Sequence, residues 1–287
     1  MKRSKIWLGV GVALVAGATP SAGETSPRAL LDGTSLTSPE ATPQWQQRDR
    51  IQFAQAAPQG QGGENEGGEA GVDAEAADKD AVKYNIALQV IAAHFQAGFT
   101  AYQGNEQQAG TEMFAHGHSE IFAVLEDVFK KRGVTGLGTK IEAAIAAAAR
   151  KAPSAEVKKA VDDVFEAIAQ AEKAAPKSPL SPLALKAQVI ADMLDRAASQ
   201  YAVALKDPKL EPYLDGLGFA LVARSEYGKI RGELEKADPA AAKAIASALQ
   251  LAERAYPGIK RPGGQPVQNA AFLASASAAR IAAAKLK

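Results

Sequence analysis

The chain has 287 residues, of which 47% are hydrophobic, and its formal net charge is +1. A chain of this length builds one large domain or two small ones, and so small a net charge gives no electrostatic basis for a nucleic-acid partner. The chain contains no cysteine, which excludes disulfides, thiolate catalysis, iron–sulfur clusters and c-type haem attachment.

The first 23 residues predict a signal peptide. A basic start is followed by an apolar stretch at residues 6–17 and then by small residues from Ser21 that suit cleavage. The apolar stretch is shorter than the roughly 18 residues of a membrane-spanning helix. We therefore expect an exported, periplasmic protein.

Residues 24–80 predict a disordered linker. Pro, Gly, Gln and Glu dominate the segment, and it shows no periodic apolar pattern. Such a composition buries too little apolar surface to offset the loss of chain entropy on folding. The sequence therefore places the start of the folded part near residue 81.

Four helices are predicted in the first folded unit, residues 81–176. Apolar side chains recur at helical spacing, and turns or prolines separate the segments. His94 lies on the inward-facing stripe of the first helix, and His118 lies on the inward-facing stripe of the second. Gly133 is the predicted C-cap of the second helix. The predicted helices cover residues 81–102, 108–132, 138–151 and 154–174.

The second unit, residues 182–287, repeats the pattern of the first. The run Gln-Val-Ile-Ala begins at Gln89 and again at Gln188, and the same offset of 99 pairs Tyr102 with Tyr201. A constant offset that relates the two segments without gaps predicts a tandem duplication. The predicted fold is therefore all-α, with two duplicated antiparallel helical bundles and a closing helix at residues 267–287.

The predicted repeat also indicates where the three histidines point. His94 corresponds to Met193 and His118 to Leu217, so these two histidines should face the core. His116 corresponds to Asp215, a polar residue, and should face a surface or a cleft.

Two candidate metal sites follow, because imidazole and carboxylate groups bind divalent metals. The first is a core pair of His94 and His118, which lie 11 and 13 residues from the turn at Asn105 and so in one layer. The alternative is a hydrogen-bonded core histidine pair, or one histidine inside and one at a crevice. The second site is a stripe of side chains at i, i+4 spacing, formed by Glu112, His116 and Glu120. A carboxylate of the second unit would complete it, and the candidates are Asp215 and Glu226. The alternative for this stripe is a solvated polar face.

Several features together resemble the imelysin-like proteins. These features are the signal peptide, the internal duplication, the phrase Tyr213-Leu-Asp-Gly-Leu-Gly-Phe219, and the ending Ala255-Tyr-Pro-Gly before a closing helix. The resemblance covers about residues 82–287 and implies an exported all-helical protein tied to periplasmic iron. The family signature Gly-x-His-x-x-Glu fits neither His116 nor His118, so peptidase activity and the family's metal site are not implied here.

The expected function is a non-catalytic periplasmic protein that binds a divalent metal, iron or copper, or a small ligand. One alternative is a metal-dependent hydrolase of imelysin type. A second alternative is a helical scaffold that contacts a periplasmic or membrane protein. No nucleic-acid partner is expected.

Overall fold

The computed structural model describes residues 72–287, and every regular element within that range is a helix. The all-helical fold class is thus confirmed. The predicted signal peptide and the predicted linker up to residue 71 lie outside the described residues. Of the helices between residues 72 and 287, none combines the length and the apolar composition that crossing a membrane requires.

The helices follow one another with short connections. Residues Gly117–Phe122 form a π-helical segment that joins α3 to α4 without a break, and Glu172–Ala174 form a 3-10 turn after α6. The α-helices are α1 (Ala74–Lys79), α2 (Ala81–Gln103), α3 (Gln107–His116), α4 (Ala123–Lys131), α5 (Leu137–Ala149), α6 (Ser154–Ala171), α7 (Pro182–Ala204), α8 (Glu211–Ala237), α9 (Pro239–Ala255) and α10 (Asn269–Ala283).

The fold begins earlier than the sequence predicted, because α1 lies inside the predicted linker. Asp73 caps the helix by accepting hydrogen bonds from two backbone N–H groups of its first turn. Ala77 is fully buried, and Asp78 forms ion pairs with Lys131 and Arg132 at the end of α4. Six residues form a stable helix here because tertiary contacts hold them.

Helix α2 is the centre of the molecule. It packs against α1, α3, α6, α7 and α8, and 18 of its 23 residues are buried. The sequence predicted a single inward stripe, and this was wrong, since α2 is buried on nearly all sides. Its composition explains the result: Lys83 is the one Lys, Arg, Asp or Glu in the helix, and a helix that is apolar all round belongs in a core.

The two halves of the described chain, residues 81–174 and 182–283, contain helices in the same order. Each half opens with a helix of 23 residues, α2 or α7. In each half a long helical element follows, made of α3, the π-helical segment and α4 in the first half and of α8 in the second. Two further helices then pack against each other: α5 against α6 in the first half, and α9 against α10 in the second. One continuous set of buried side chains runs through both halves.

Candidate functional site

The histidines lie where α2, α3 and α8 meet. His94 is in the middle of α2, His116 ends α3, and His118 belongs to the π-helical segment. In that segment the Ala123 N–H donates to the carbonyl of His118, five residues back, instead of four. A π turn of this kind holds one extra residue, so it changes the direction of the side chains that precede it relative to those that follow.

The inner part of the site is a buried pair of His94 and Asp215. The imidazole Nε2 lies 3.7 Å from the carboxylate Oδ1, and both side chains are 1% exposed. The other imidazole nitrogen, Nδ1, lies 2.8 Å from the carbonyl oxygen of Val90. Since a carbonyl only accepts hydrogen bonds, Nδ1 carries a proton, and Nε2 is the ring nitrogen that faces Asp215.

The outer part of the site is formed by His116 and Glu211. Their Nδ1 and Oε1 atoms lie 3.4 Å apart, with the side chains 15% and 47% exposed. Glu211 is the first residue of α8, and Asp215 follows one turn later on the same face. Helix α8 thus presents two successive carboxylates, each to a different histidine of the first half.

Small residues allow the three helices to come this close. A Cβ atom added at Gly117 would lie 3.1 Å from the Cβ of His94. A Cβ atom added at Gly218 would lie only 2.3 Å from the carbonyl oxygen of Ala93, the residue before His94. The backbones of α2 and α8 therefore approach beside the inner pair.

Aromatic rings enclose the inner pair. The Phe219 ring meets the His94 ring edge to face at a centroid distance of 6.3 Å. Burial raises the pKa of the Tyr256 phenol well above its ordinary value, and the neighbouring Tyr213 and Asp215 raise it further. Tyr256 therefore stays neutral, and its hydroxyl donates to the carbonyl of Ala197 at 2.8 Å.

His118 differs from His94 in its surroundings. Gly117, the residue before His118, abuts the His94 side chain. His118 is only partly buried, and its ring stacks on Phe122 at 5.6 Å. The expectation that His94 is buried is confirmed, whereas His118 is not fully in the core, which fits the alternative of one histidine inside and one at a crevice.

The remaining predicted residues are spread along the helices. Glu112 is exposed and accepts a hydrogen bond from Gln108, and Glu120 is partly exposed within the π segment. Glu226 forms an ion pair with Lys229. Glu226 lies 11 residues after Asp215, which is about 16 Å along α8 from the inner pair. Glu226 therefore does not join the histidines.

Sequence reasoning found Asp215 but missed Glu211. The signal for Glu211 was available, because the offset of 99 that relates the two halves pairs it with the candidate Glu112. Between residues 72 and 287, no three side chains of His, Asp or Glu converge closely enough to form a metal site as they stand.

Comparisons with known proteins do not assign the chain to a family. No family model, no curated protein and no solved structure matches the chain. The resemblance to the imelysin-like proteins therefore stays an expectation from the sequence.

Proposed function

We propose that this protein is an exported, periplasmic, non-catalytic protein that binds one divalent metal ion, iron or copper, where α2, α3 and α8 meet. The proposal includes the descent of the two halves from one duplicated unit related to the imelysin-like proteins. The observation that carries the metal site is the geometry of the buried pair of His94 and Asp215.

The inner pair is oriented as metal ligands are. Metal-binding histidines almost always donate their second ring N–H to a backbone carbonyl or a carboxylate, as Nδ1 of His94 does to Val90. Nε2 of His94 and the carboxylate of Asp215 face each other, and a divalent cation held between them would be bound by both.

The two histidine–carboxylate separations also suit a shared cation. They measure 3.7 and 3.4 Å, which is longer than a good hydrogen bond. Two ligands with bonds of about 2.1 Å to a tetrahedral metal lie about 3.4 Å apart. Imidazole with carboxylate is a ligand set that iron, copper and zinc all accept.

The outer pair completes the site by rotation of its side chains. The Glu211 side chain is 47% exposed and can change rotamer at small cost to reach the more enclosed His116, which is 15% exposed, whereas the inner pair is held by packing. Glu211 and Asp215 stand one turn apart, with Cβ atoms about 5–6 Å from each other. Closing the outer pair over the inner one brings two imidazoles and two carboxylates to one ion.

Metal titration of the purified protein tests the proposal. Metal-free protein is titrated with Fe²⁺ without oxygen, with Cu²⁺ and with Zn²⁺, and bound metal is counted by elemental analysis. We expect one ion per chain at micromolar concentration. His116→Ala and Glu211→Gln should each weaken binding about tenfold or more, in line with the loss of about one ligand interaction of 1.4 kcal/mol or greater.

The inner pair needs a variant that keeps the fold. Replacing both members, as in His94→Leu with Asp215→Leu, removes the two facing polar groups together and should fold while binding no metal. The matched control is His118→Ala, which removes an imidazole two residues from His116 and should bind as the unchanged protein does. Equal losses in the control and the site variants, or no stoichiometric metal in any titration, would refute the proposal.

The same preparation separates binding from catalysis. A purely binding protein turns over no peptide or ester when loaded with metal. Metal-dependent turnover that Glu120→Gln abolishes, with metal still bound, would replace the binding function with the hydrolase alternative.

A further inference from the structure

A groove of about 520 Å³ lies away from the histidines, between the start of α2, the connection from α6 to α7, and helices α7 and α10. Its size is in the range of ligand-binding clefts. Apolar side chains form part of its wall, among them Val82, Ile86 and Leu180. Ile86 is 5% exposed and Ala191, deeper on α7, is 1% exposed, so the floor belongs to the rigid core.

The charges around the groove do not balance. Four cationic residues line it, and two of them are neutralised from outside: Lys79 pairs with Glu75, and Arg280 pairs with Asp195. Of the two acidic residues of the lining, Asp192 pairs with Arg196, whereas Asp80 caps α2 and keeps its negative charge.

Two lysines of the lining are left without a counter-ion. Lys83 on α2 and Lys177 on the connection form no ion pair with any residue between 72 and 287. Both are exposed at the groove, Lys83 on the first half and Lys177 on the connection between the halves. With the charge of Asp80 counted against these two lysines, the groove keeps an excess positive charge above an apolar floor.

An internal comparison indicates what the groove lacks. On α2, the amide of Gln89 donates to the carboxylate of Glu172 at 2.7 Å. The positive charge of Lys186 on α7 attracts that carboxylate as well. Gln188 stands in the identical Gln-Val-Ile-Ala run of α7 and lines the groove. Its amide has no hydrogen-bond partner within residues 72–287, although lysines lie nearby.

We infer that this groove binds a small organic anion with an apolar body. The carboxylate or phosphate of the ligand accepts from the amide of Gln188, as the Glu172 carboxylate accepts from Gln89, and pairs with Lys83 and Lys177. The apolar body rests on Ile86 and the neighbouring wall. This site is independent of the metal and of the histidine junction.

Nuclear magnetic resonance titration of the ¹⁵N-labelled full chain tests the inference. The probes are octanoate, inorganic phosphate, and octanol as the uncharged match to octanoate. We expect octanoate to bind with saturable shifts confined to the groove, phosphate to bind more weakly at the same amides, and octanol not to bind.

Variants distinguish the groove from general surface charge. Lys83→Met with Lys177→Met should weaken octanoate binding at least tenfold, because two charge-assisted contacts are lost, and Gln188→Leu should weaken it less. Lys236→Met with Lys243→Met removes two exposed lysines elsewhere and should change nothing. Absence of saturable octanoate binding, equal binding of octanol, or equal loss in the control pair would overturn the assignment.

Discussion

Gly218 is the position at which one added methyl group should test the geometry of the histidine junction. It lies on α8 three residues after Asp215, where the α8 backbone meets the α2 backbone beside His94. A Cβ atom at this position would lie 2.3 Å from the carbonyl oxygen and 2.9 Å from the carbonyl carbon of Ala93. Neither atom belongs to a side chain that can turn away.

The expected cost follows from these contacts. Relaxed contacts require about 3.5 Å, so Gly218→Ala must separate α2 and α8 by roughly 1 Å. Overpacking of a core costs about 1–3 kcal/mol, and the upper end applies because α2 is packed on nearly all sides. Alanine recovers about 1 kcal/mol through its helix propensity. The net loss is about 2 kcal/mol, or a fall in Tm of about 4–8 °C for a domain of this size.

Thermal unfolding followed by circular dichroism measures the effect, with a control on the same helix. Gly228 is exposed, and no atom lies within 4 Å of a Cβ added there, so Gly228→Ala should raise Tm by about 2–4 °C. If Gly218→Ala matched or exceeded the unchanged protein in Tm, the close approach of α2 and α8 at the inner pair would be refuted. The same variant should also weaken metal binding, since Ala93 adjoins His94.

Two further predictions concern charge and backbone conformation. Burial, and then the negative charge of Glu226, raise the pKa of Glu172, so the stability gained by its protonation is complete below the ordinary value of 4.5 and is lost as pH rises through the folded-state pKa. Glu172→Gln should therefore raise the urea midpoint at neutral pH and lose that advantage below pH 4.5; an equal gain at both pH values would contradict this account. Gly133 has a φ of 73° with open space around it, so Gly133→Ala should cost about 1 kcal/mol from backbone conformation alone, and an unchanged Tm would show that the turn after α4 is not left-handed.

Helix bounds were predictable because the signals that end helices are local. The first predicted helix, residues 81–102, became Ala81–Gln103, and the C-cap predicted at Gly133 has the expected positive φ. Helix α1 was missed because Asp78 is held by residues more than 50 positions away, which no local pattern reveals.

The candidate site was predictable only in part. The burial of His94 was predicted because the offset of 99 relates it to the apolar Met193 of the second half. The same offset relates His116 to Asp215, which was named as a candidate. The direction of His118 was not predictable from ideal helical spacing, since the π turn adds one residue to the helix. The contact of His116 with Glu211 depends on how α3 lies against α8, and periodicity within one helix carries no information on that packing.

The burial of α2 ties the two halves of the described chain into one cooperative body. A helix with 18 of 23 residues inaccessible needs partners on every side, and α7 and α8 of the second half supply several of them. The first half alone would expose that apolar surface to water, so its stability depends on the second half.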